Sequence, residues 1–193
     1  GITKLLMERE IILASASPRR RELMGYMQLP FRVEVADVQE VQAGSPEESV
    51  VRNAQLKERA VAALHEAPVV LAADTVVAID GMVLGKPADE RDAVRMLQML
   101  QNAWHEVHTG VALLSDKVEQ LAHEVSRVHF CAISPDAINR YVKTGEPMDK
   151  AGAYALQGIG GMFVDRIEGS YSNVIGLPMA RVRELLIRAG FDI

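Results

Sequence analysis

The strongest constraint on this fold is an apolar, β-prone run over residues 69–79, Val-Val-Leu-Ala-Ala-Asp-Thr-Val-Val-Ala-Ile. Nearly continuous runs of this kind are typical of strands that are buried on both faces. Asp80-Gly81 follows, which is the favoured pair for a two-residue type I′ turn, and Met82-Val83-Leu84 resumes the apolar pattern. The sequence therefore predicts a central strand that leads into a hairpin.

The rest of the chain alternates between predicted strands and predicted helices. Strands are predicted over 11–14, 31–36, 105–115, 118–133 and 162–164, and helices over 19–27, 46–64, 89–100, 135–143 and 177–190. Ser-Pro pairs precede three of these helices, and such a pair combines a hydroxyl cap with a suitable first helical residue. The spacing of Phe31, Val33 and Val35 is typical of a half-buried strand. The alternation predicts an α/β fold.

Length and composition limit the class of protein. A chain of 193 residues with 49% hydrophobic residues can form one domain (1–193) or two small lobes on a shared sheet, with 104–147 as the outer part of the second lobe. The formal net charge of -5 disfavours sequence-independent binding of nucleic acid. Cys131 is a single cysteine, and no apolar run reaches the roughly 20 residues of a membrane span. We therefore expect a cytoplasmic protein that binds neither nucleic acid nor membrane.

Asp74 interrupts the apolar run, and an ionised carboxylate without a partner is costly inside such a strand. Counting back from the hairpin turn places Thr75 opposite Lys86, so Lys86 is one candidate partner. A divalent metal ion is another, because carboxylate oxygens suit Mg²⁺ or Mn²⁺, and such ions usually also bind substrate phosphates. A structural pairing of Asp74 with Lys86, without chemistry, is the third alternative.

Three arginines, Arg19, Arg20 and Arg21, occupy the first turn of a predicted helix, where positive charge opposes the helix macrodipole. The free N–H groups of this helix start, the hydroxyls of Ser15 and Ser17 and the guanidinium groups together suit an anion with several phosphates. A solvated basic surface turn is the structural alternative.

Six short blocks together resemble the signature blocks of the Maf family, in the family's order and over nearly the whole chain. They are 13–20 (LASASPRR), 73–77 (ADTVV), 85–87 (GKP), 109–112 (TGVA), 149–154 (DKAGAY) with 157–158 (QG), and 173–178 (NVIGLP). The resemblance implies a long mixed central sheet flanked by helices, with two lobes and a deep cleft, similar to the inosine triphosphatase-like enzymes.

The same resemblance implies roles for individual residues. Asp74 matches the family's proposed general base. The polar residues that line the family's cleft around phosphate and metal are matched by Ser15, Arg19, Arg20, Glu40, Lys57 and Lys86. The positions associated with substrate choice are matched by Arg19, Thr75 and Gln157, which resemble the subgroup that acts on dTTP and UTP. Glu40 and Asp74 are expected to hold a divalent cation, Mg²⁺ or Mn²⁺.

The activity implied by the resemblance is nucleoside triphosphate pyrophosphatase, which would convert dTTP and UTP to the monophosphate and pyrophosphate. Modified pyrimidine triphosphates are an alternative substrate, and the family likeness suggests a homodimer. Two other classes would use the same residues, a nucleotide-sensing regulator of cell division or septum formation without turnover and a nucleotidyl transferase. The sequence contains no H-E-x-x-H, G-x-S-x-G or G-x-G-x-x-G pattern that would support a zinc hydrolase, a serine hydrolase or a dinucleotide site.

Overall fold

The computed structural model describes residues 9–193, and the first part of the predicted 1–193 domain, residues 1–8, lies outside the described residues. The strands are β1 (Ile11–Leu13), β2 (Phe31–Val33), β3 (Val69–Ile79), β4 (Met82–Leu84), β5 (Trp104–Ser115), β6 (Val118–Phe130) and β7 (Val164–Glu168). The helices are α1 (Pro18–Gly25), α2 (Pro46–Ala62), α3 (Glu90–Leu100), α4 (Pro135–Lys143), α5 (Tyr171–Ile175) and α6 (Met179–Arg188). Short 3₁₀ turns cover Glu146–Asp149, Ala151–Ala153 and Ile159–Phe163.

Within residues 9–193, seven strands form one mixed sheet in the order β2-β1-β3-β5-β6-β7, with β4 paired to β3 outside this path. The β1 strand pairs in parallel with both β2 and β3, whereas the β3–β4 and β6–β7 pairs are antiparallel. The predicted α/β class with a long mixed sheet is therefore confirmed.

Three predicted Ser-Pro helix starts are confirmed. The hydroxyl oxygens of Ser17, Ser45 and Ser134 each accept a hydrogen bond from a backbone N–H in the first turn of α1, α2 and α4. Proline follows each cap, and its preset φ suits the first helical residue. The local sequence alone is therefore sufficient to locate these helix starts.

The central strand and its hairpin are also confirmed. Nine of the eleven residues of β3 are buried, as expected for a strand covered on both faces. Asp80 and Gly81 both have positive φ, as a type I′ turn requires, and Ile79 pairs with Met82. The β3–β4 ladder ends at Val77–Leu84, so a Thr75–Lys86 pair is not part of it.

Two local predictions were wrong. The β2 strand ends at Val33, and both Val33 and Val35 are exposed, so the alternation from Phe31 does not mark a half-buried strand. The segment 162–164, predicted to be a strand, is largely a 3₁₀ turn, and the strand occupies Val164–Glu168 instead. Both errors occur where an alternating or apolar triplet is too short to distinguish a strand from a turn.

The described chain divides into two compact units, and the boundaries between them fall inside β3, β5 and β6. The first unit contains residues up to Asp74, Thr109–Glu124 and Gly176–Ile193, and the second contains Thr75–His108 and Val125–Ile175. Assignment of an outer lobe to 104–147, and of a cleft, stays a prediction. Among residues 9–193, no helix combines the length and apolar character that crossing a membrane requires.

Each unit has its own core. In the first unit, Ile12 and Val70 from the sheet pack with Val61 from α2. In the second unit, Phe130 lies at the centre of an aromatic cluster with Tyr154 and Phe163, at ring-centroid distances of 4.7 and 6.4 Å. Aromatic pairs in edge-on or tilted contact add to the stabilisation from area burial alone.

Gly110 lets α2 lie directly against β5 within the first unit. A Cβ atom at this position would stand 2.3 Å from the carbonyl carbon and oxygen of Val50, a main-chain contact that a flexible side chain cannot relieve. Glycine therefore sets the depth at which α2 packs on the sheet. This packing matters because α2 carries two side chains of the candidate site.

Candidate active site

Asp74 is the buried centre of the candidate site, and both of its carboxylate oxygens have donors. The residue is 6% exposed. Lys57 Nζ lies 3.1 Å from Oδ1, and Asn53 Nδ2 donates to Oδ2 at 3.2 Å. Asp74 was expected to need a partner because it lies inside an apolar strand. Two residues of α2, within the first unit, are its partners. Lys86, the partner considered from the hairpin register, belongs to the second unit.

Lys57 joins two acidic side chains. Its ammonium group also lies 2.9 Å from Glu40 Oε1, so one nitrogen forms ion pairs with the exposed Glu40 and the buried Asp74. Asn53 and Lys57 are four residues apart on α2, and this spacing puts both side chains on one helix face. The structure therefore brings together three of the predicted site residues, Glu40, Lys57 and Asp74.

The loop that carries Glu40 is fastened to α2 by two buried polar side chains. Asn53 accepts a hydrogen bond from Val41 N–H at 2.8 Å and donates to the Val41 carbonyl at 2.9 Å. Ser49, one turn earlier, accepts from Ala43 N–H at 2.9 Å and donates to the Ala43 carbonyl at 3.2 Å. Buried polar groups need such partners, and here the partners fix the loop.

Asn53 is a residue of the candidate site that the sequence patterns did not predict. Its amide connects the Glu40 loop to the Asp74 carboxylate through three hydrogen bonds. A signal was present, because Asn53 interrupts the apolar face of α2 formed by Val50, Ala54 and Val61. A polar residue on such a face needs a buried partner, as Asp74 does on its strand.

The first turn of α1, which carries Arg19, Arg20 and Arg21, lies in the same unit. Ser15 Oγ accepts from Ser17 N–H at 3.2 Å and from Arg20 Nη1 at 3.4 Å, and Arg20 Nε donates to the Gly176 carbonyl at 2.7 Å. Burial lowers the pKa of Arg20, while the negative charges of Asp74 and Glu40 oppose that shift. Because arginine remains protonated in proteins, Arg20 is a fixed cation in the field of both carboxylates.

A cavity borders the start of α1. It has a volume of about 460 Å³ and is lined by nine residues, among them Ser15, Ser17 and Arg21. This volume lies within the range of small-molecule pockets. Arg19, which was predicted to bind substrate, is partly exposed in the first turn of α1. It does not line the cavity itself but is adjacent in the chain to residues that do.

Three further predicted residues lie in the second unit. Thr75 follows Asp74 on β3 and is half-buried, and Lys86 is exposed just after β4. A hydrogen bond from Lys150 lowers the pKa of Asp149, and the positive charge of Lys86 adds to this effect. Gln157 is partly buried, and its Oε1 atom is buried without a hydrogen-bond donor in the described part of the chain.

Few side chains at this site could bind a divalent cation. Within residues 9–193, no three side chains of the His, Cys, Asp or Glu types are grouped as a metal site. Glu40 and Asp74 nevertheless both contact the Lys57 ammonium, so their oxygens converge on a position that already holds a positive charge. Two carboxylates fit the way Mg²⁺ is commonly bound, with phosphate and water completing the shell.

A second acidic pair lies further along α2. Glu58 is 1% exposed; burial raises its pKa to about 8, and a hydrogen bond to Glu119 adds to the shift. The same hydrogen bond lowers the pKa of Glu119 to about 2, assisted by Arg59, whose Nε donates at 3.0 Å. At neutral pH the pair therefore shares one proton, with Glu58 as the donor.

We expect this shared proton to make folding pH-dependent. The pKa of Glu58 is raised in the folded state from 4.5, so its stabilising effect is complete below about pH 4.5 and is lost as pH rises through about 8. The free energy of unfolding, measured with urea, should therefore fall between about pH 5 and pH 9. Glu58→Gln should flatten this dependence, and Glu66→Gln, on an exposed residue, should not. An unchanged slope in Glu58→Gln would contradict the shared proton.

The fold places the chain within a known α/β class. A Ham1 protein from Staphylococcus aureus is similar with a TM-score of 0.54 over 93% of this chain and 98% of that chain, at 17% identity. A HAM1 protein from Coxiella burnetii has the same TM-score over 93% of this chain and 99% of that chain, at 19% identity. At such identity the likeness shows the fold alone. Residues 10–189 match the family described as Maf-like protein, and the chain belongs to that family.

Sequence relatives agree with this assignment over almost the full length. A dTTP/UTP pyrophosphatase from Pelotomaculum thermopropionicum is 48% identical over 96% of this chain and 99% of the relative. Proteins of the same name from Koribacter versatilis and Dictyoglomus turgidum are 50% and 44% identical, over 93% and 97% of this chain and 94% and 100% of the relatives.

Proposed function

We propose that this protein hydrolyses dTTP and UTP to the nucleoside monophosphate and pyrophosphate. The observation that carries the proposal is the buried Asp74 carboxylate with Lys57 and Arg20 as neighbouring cations, in a chain 44–50% identical to dTTP/UTP pyrophosphatases. A polyphosphate needs several fixed cations, and its hydrolysis needs a base that can accept a proton from water. The first unit has a candidate for each role, Lys57 and Arg20 as cations and Asp74 as the base.

Asp74 is the proposed general base. A water oxygen forms a bond to the α-phosphorus while the bond from this phosphorus to the oxygen that bridges the α- and β-phosphates breaks. Pyrophosphate departs with the bonding electrons. The water proton passes to an Asp74 oxygen. Asn53 donates to one carboxylate oxygen of Asp74 and is proposed to hold the base in place during the reaction, so that it need not reorient.

Lys57 is proposed to exchange partners when substrate binds. In the free protein its ammonium group forms ion pairs with both Glu40 and Asp74. A bound polyphosphate is a stronger competitor for that ammonium, and Arg19 and Arg20 of the first unit are proposed to bind the same anion. Lys86 of the second unit is retained as a predicted substrate-binding residue. Transfer of Lys57 to phosphate would leave Asp74 free to accept a proton.

Glu40 and Asp74 are proposed to hold Mg²⁺ or Mn²⁺. When bound, a divalent ion would neutralise charge on the phosphate oxygens. The two carboxylates supply hard oxygen donors, and the Lys57 contacts identify the place where these donors meet. Asp74 would remain the proton acceptor in this scheme, and Glu40 would be the second residue that holds the ion.

Gln157 is proposed to recognise the pyrimidine base. Its Oε1 atom is a buried acceptor in need of a donor, and the N3–H group of uracil or thymine supplies one next to a carbonyl. Within the buried surroundings of a site, a missing partner strongly disfavours the wrong ligand. A glutamine side chain, with one acceptor and one donor, matches that edge.

Replacing Gln157 with Glu tests this recognition. A second acceptor would face a base carbonyl, so KM for UTP should rise about tenfold or more, with a smaller change in kcat. Steady-state release of pyrophosphate measures both constants. Gln98→Glu, on an exposed position of α3, is the matched control. A base preference identical to that of the unaltered protein would remove Gln157 from the specificity residues.

The proposed activity itself is tested with a panel of triphosphates and metals. The protein is incubated with dTTP, UTP, CTP, GTP and modified pyrimidine triphosphates, each with Mg²⁺ or Mn²⁺, and monophosphate and pyrophosphate are quantified. We expect both products in equal amounts, fastest with dTTP and UTP. Binding without product across the panel would favour a nucleotide sensor, and product only with an added acceptor would favour a nucleotidyl transferase. A cytoplasmic location and a homodimer remain predictions.

A further inference from the structure

The segment that carries Gln157 is held by one carboxylate of the second unit. Glu146 Oε1 accepts a hydrogen bond from Ile159 N–H at 2.9 Å, and Oε2 accepts from Gly160 N–H at 2.9 Å. The Tyr141 hydroxyl donates to Oε2 as well. Hydrogen bonds to an ionised acceptor are stronger than neutral ones, so this carboxylate is a firm anchor for the chain just after Gln157.

Tyr141 holds the same segment at a residue that precedes Gln157 in the chain. Its hydroxyl oxygen accepts from Ala155 N–H at 3.2 Å while its proton goes to Glu146. The tyrosine is 2% exposed, and its ring packs edge-on against Phe163 at 5.2 Å, which leaves little freedom to the hydroxyl. Tyr141 and Glu146 together therefore bind backbone N–H groups both before and after Gln157.

Two glycines make this close approach possible. A Cβ atom at Gly158 would stand 2.0 Å from Glu146 Oε1, and one at Gly160 would stand 2.5 Å from the Tyr141 hydroxyl. The main chain around Gln157 therefore lies directly on the two side chains. A segment fixed in this way has few alternative conformations in which Gln157 could point elsewhere.

We propose that Tyr141 and Glu146 are positioning residues for pyrimidine recognition, because they hold the backbone on both sides of Gln157, the residue proposed to recognise the base. This inference rests on the proposed function of Gln157. The pair contributes through the backbone of 155–160 and contacts no substrate atom itself. It therefore affects which base is bound more than the rate of the chemical step.

The test uses Glu146→Gln and Tyr141→Phe in the full chain. The first change would turn an amide N–H donor toward one of the backbone donors, and the second would leave Ala155 N–H without its acceptor. Calorimetry measures binding of UTP and CTP analogues that carry a methylene bridge between the α- and β-phosphates. We expect affinity for the UTP analogue to fall about tenfold and affinity for the CTP analogue to change less than about twofold.

Matched controls separate this effect from general loss of charge or hydroxyl. Glu168→Gln removes an exposed carboxylate that pairs with Arg127 in the same unit, and Tyr171→Phe removes an exposed phenol. Both should bind the two analogues as the unaltered protein does. In a Gln157→Ala background, Glu146→Gln should cause no further loss of UTP-analogue affinity, because the residue through which it acts is absent.

Two results would overturn the proposal: equal loss of affinity for both analogues, or no loss for either. If Glu146→Gln does not fold, Tyr141→Phe and Glu146→Asp decide the question, and amide hydrogen exchange over 155–161 should be faster in each. A protein that binds the analogues selectively but releases no pyrophosphate would refute the proposed hydrolysis while leaving the positioning role supported.

Discussion

Asp74→Asn is expected to lower kcat for UTP by about a thousandfold, within the range that general base catalysis contributes. The amide keeps the shape of the carboxylate but cannot accept the proton of the attacking water. UTP should still bind, because one negative charge fewer faces the polyphosphate. Single-turnover release of pyrophosphate measures the loss, and calorimetry measures the retained binding.

The control for this variant is Asp165→Asn, which alters an exposed carboxylate paired with His129 in the second unit. It should leave kcat unchanged. Asp74→Asn should also lose some stability, because Asn53 and Lys57 both donate to Asp74 and the new side chain offers only one acceptor. Activity within tenfold of the unaltered protein would exclude Asp74 as the base.

Lys57→Met is expected to reduce kcat/KM for UTP about a hundredfold and to destabilise the fold by about 2 kcal/mol. The first effect follows from loss of a cation that we propose binds polyphosphate. The second follows because a buried Asp74 loses its direct counter-charge, a change that costs about 3–5 kcal/mol in fully buried pairs and less here, where Lys57 is partly exposed. Pyrophosphate release and urea unfolding measure the two effects.

Three further variants test whether the effects of Lys57→Met come from loss of its charge next to Asp74. Lys143→Met, on an exposed lysine of α4, should behave as the unaltered protein does. Lys57→Arg keeps the charge and should retain most stability. The double variant with Asp74→Asn should recover part of the stability lost in Lys57→Met, because the uncompensated charge is gone. Additive losses of stability in the double variant would show that Lys57 and Asp74 are not energetically coupled.

Much of the fold follows from short sequence patterns. The buried strand β3, its type I′ turn and the three Ser-Pro helix starts were predicted from a few neighbouring residues each, and the structure confirms them. These features depend on local backbone preferences and hydrogen bonds within one turn, which a sequence records directly. Triplets such as 31–35 and 162–164 do not carry enough periodicity, and there the predictions failed.

The candidate site was predicted in part. Glu40, Lys57 and Asp74 were assigned from family resemblance, and the structure brings these three together. Asn53 was missed, although its amide makes contacts to both the Glu40 loop and Asp74. The pairing of Glu58 with Glu119 was not predicted from the sequence either, because α2 and β6 are far apart in the chain.

Short stretches of sequence are enough to show that an acid lies inside an apolar strand, that it needs a partner, and that basic and hydroxyl groups cluster at one helix start. The identity of the partners depends on how the helices and strands pack together. Lys57 and Asn53 reach Asp74 across 17 and 21 residues because α2 packs on β5 at the depth that Gly110 allows. Contacts of this kind depend on how separate elements pack, and no short stretch of sequence contains that information.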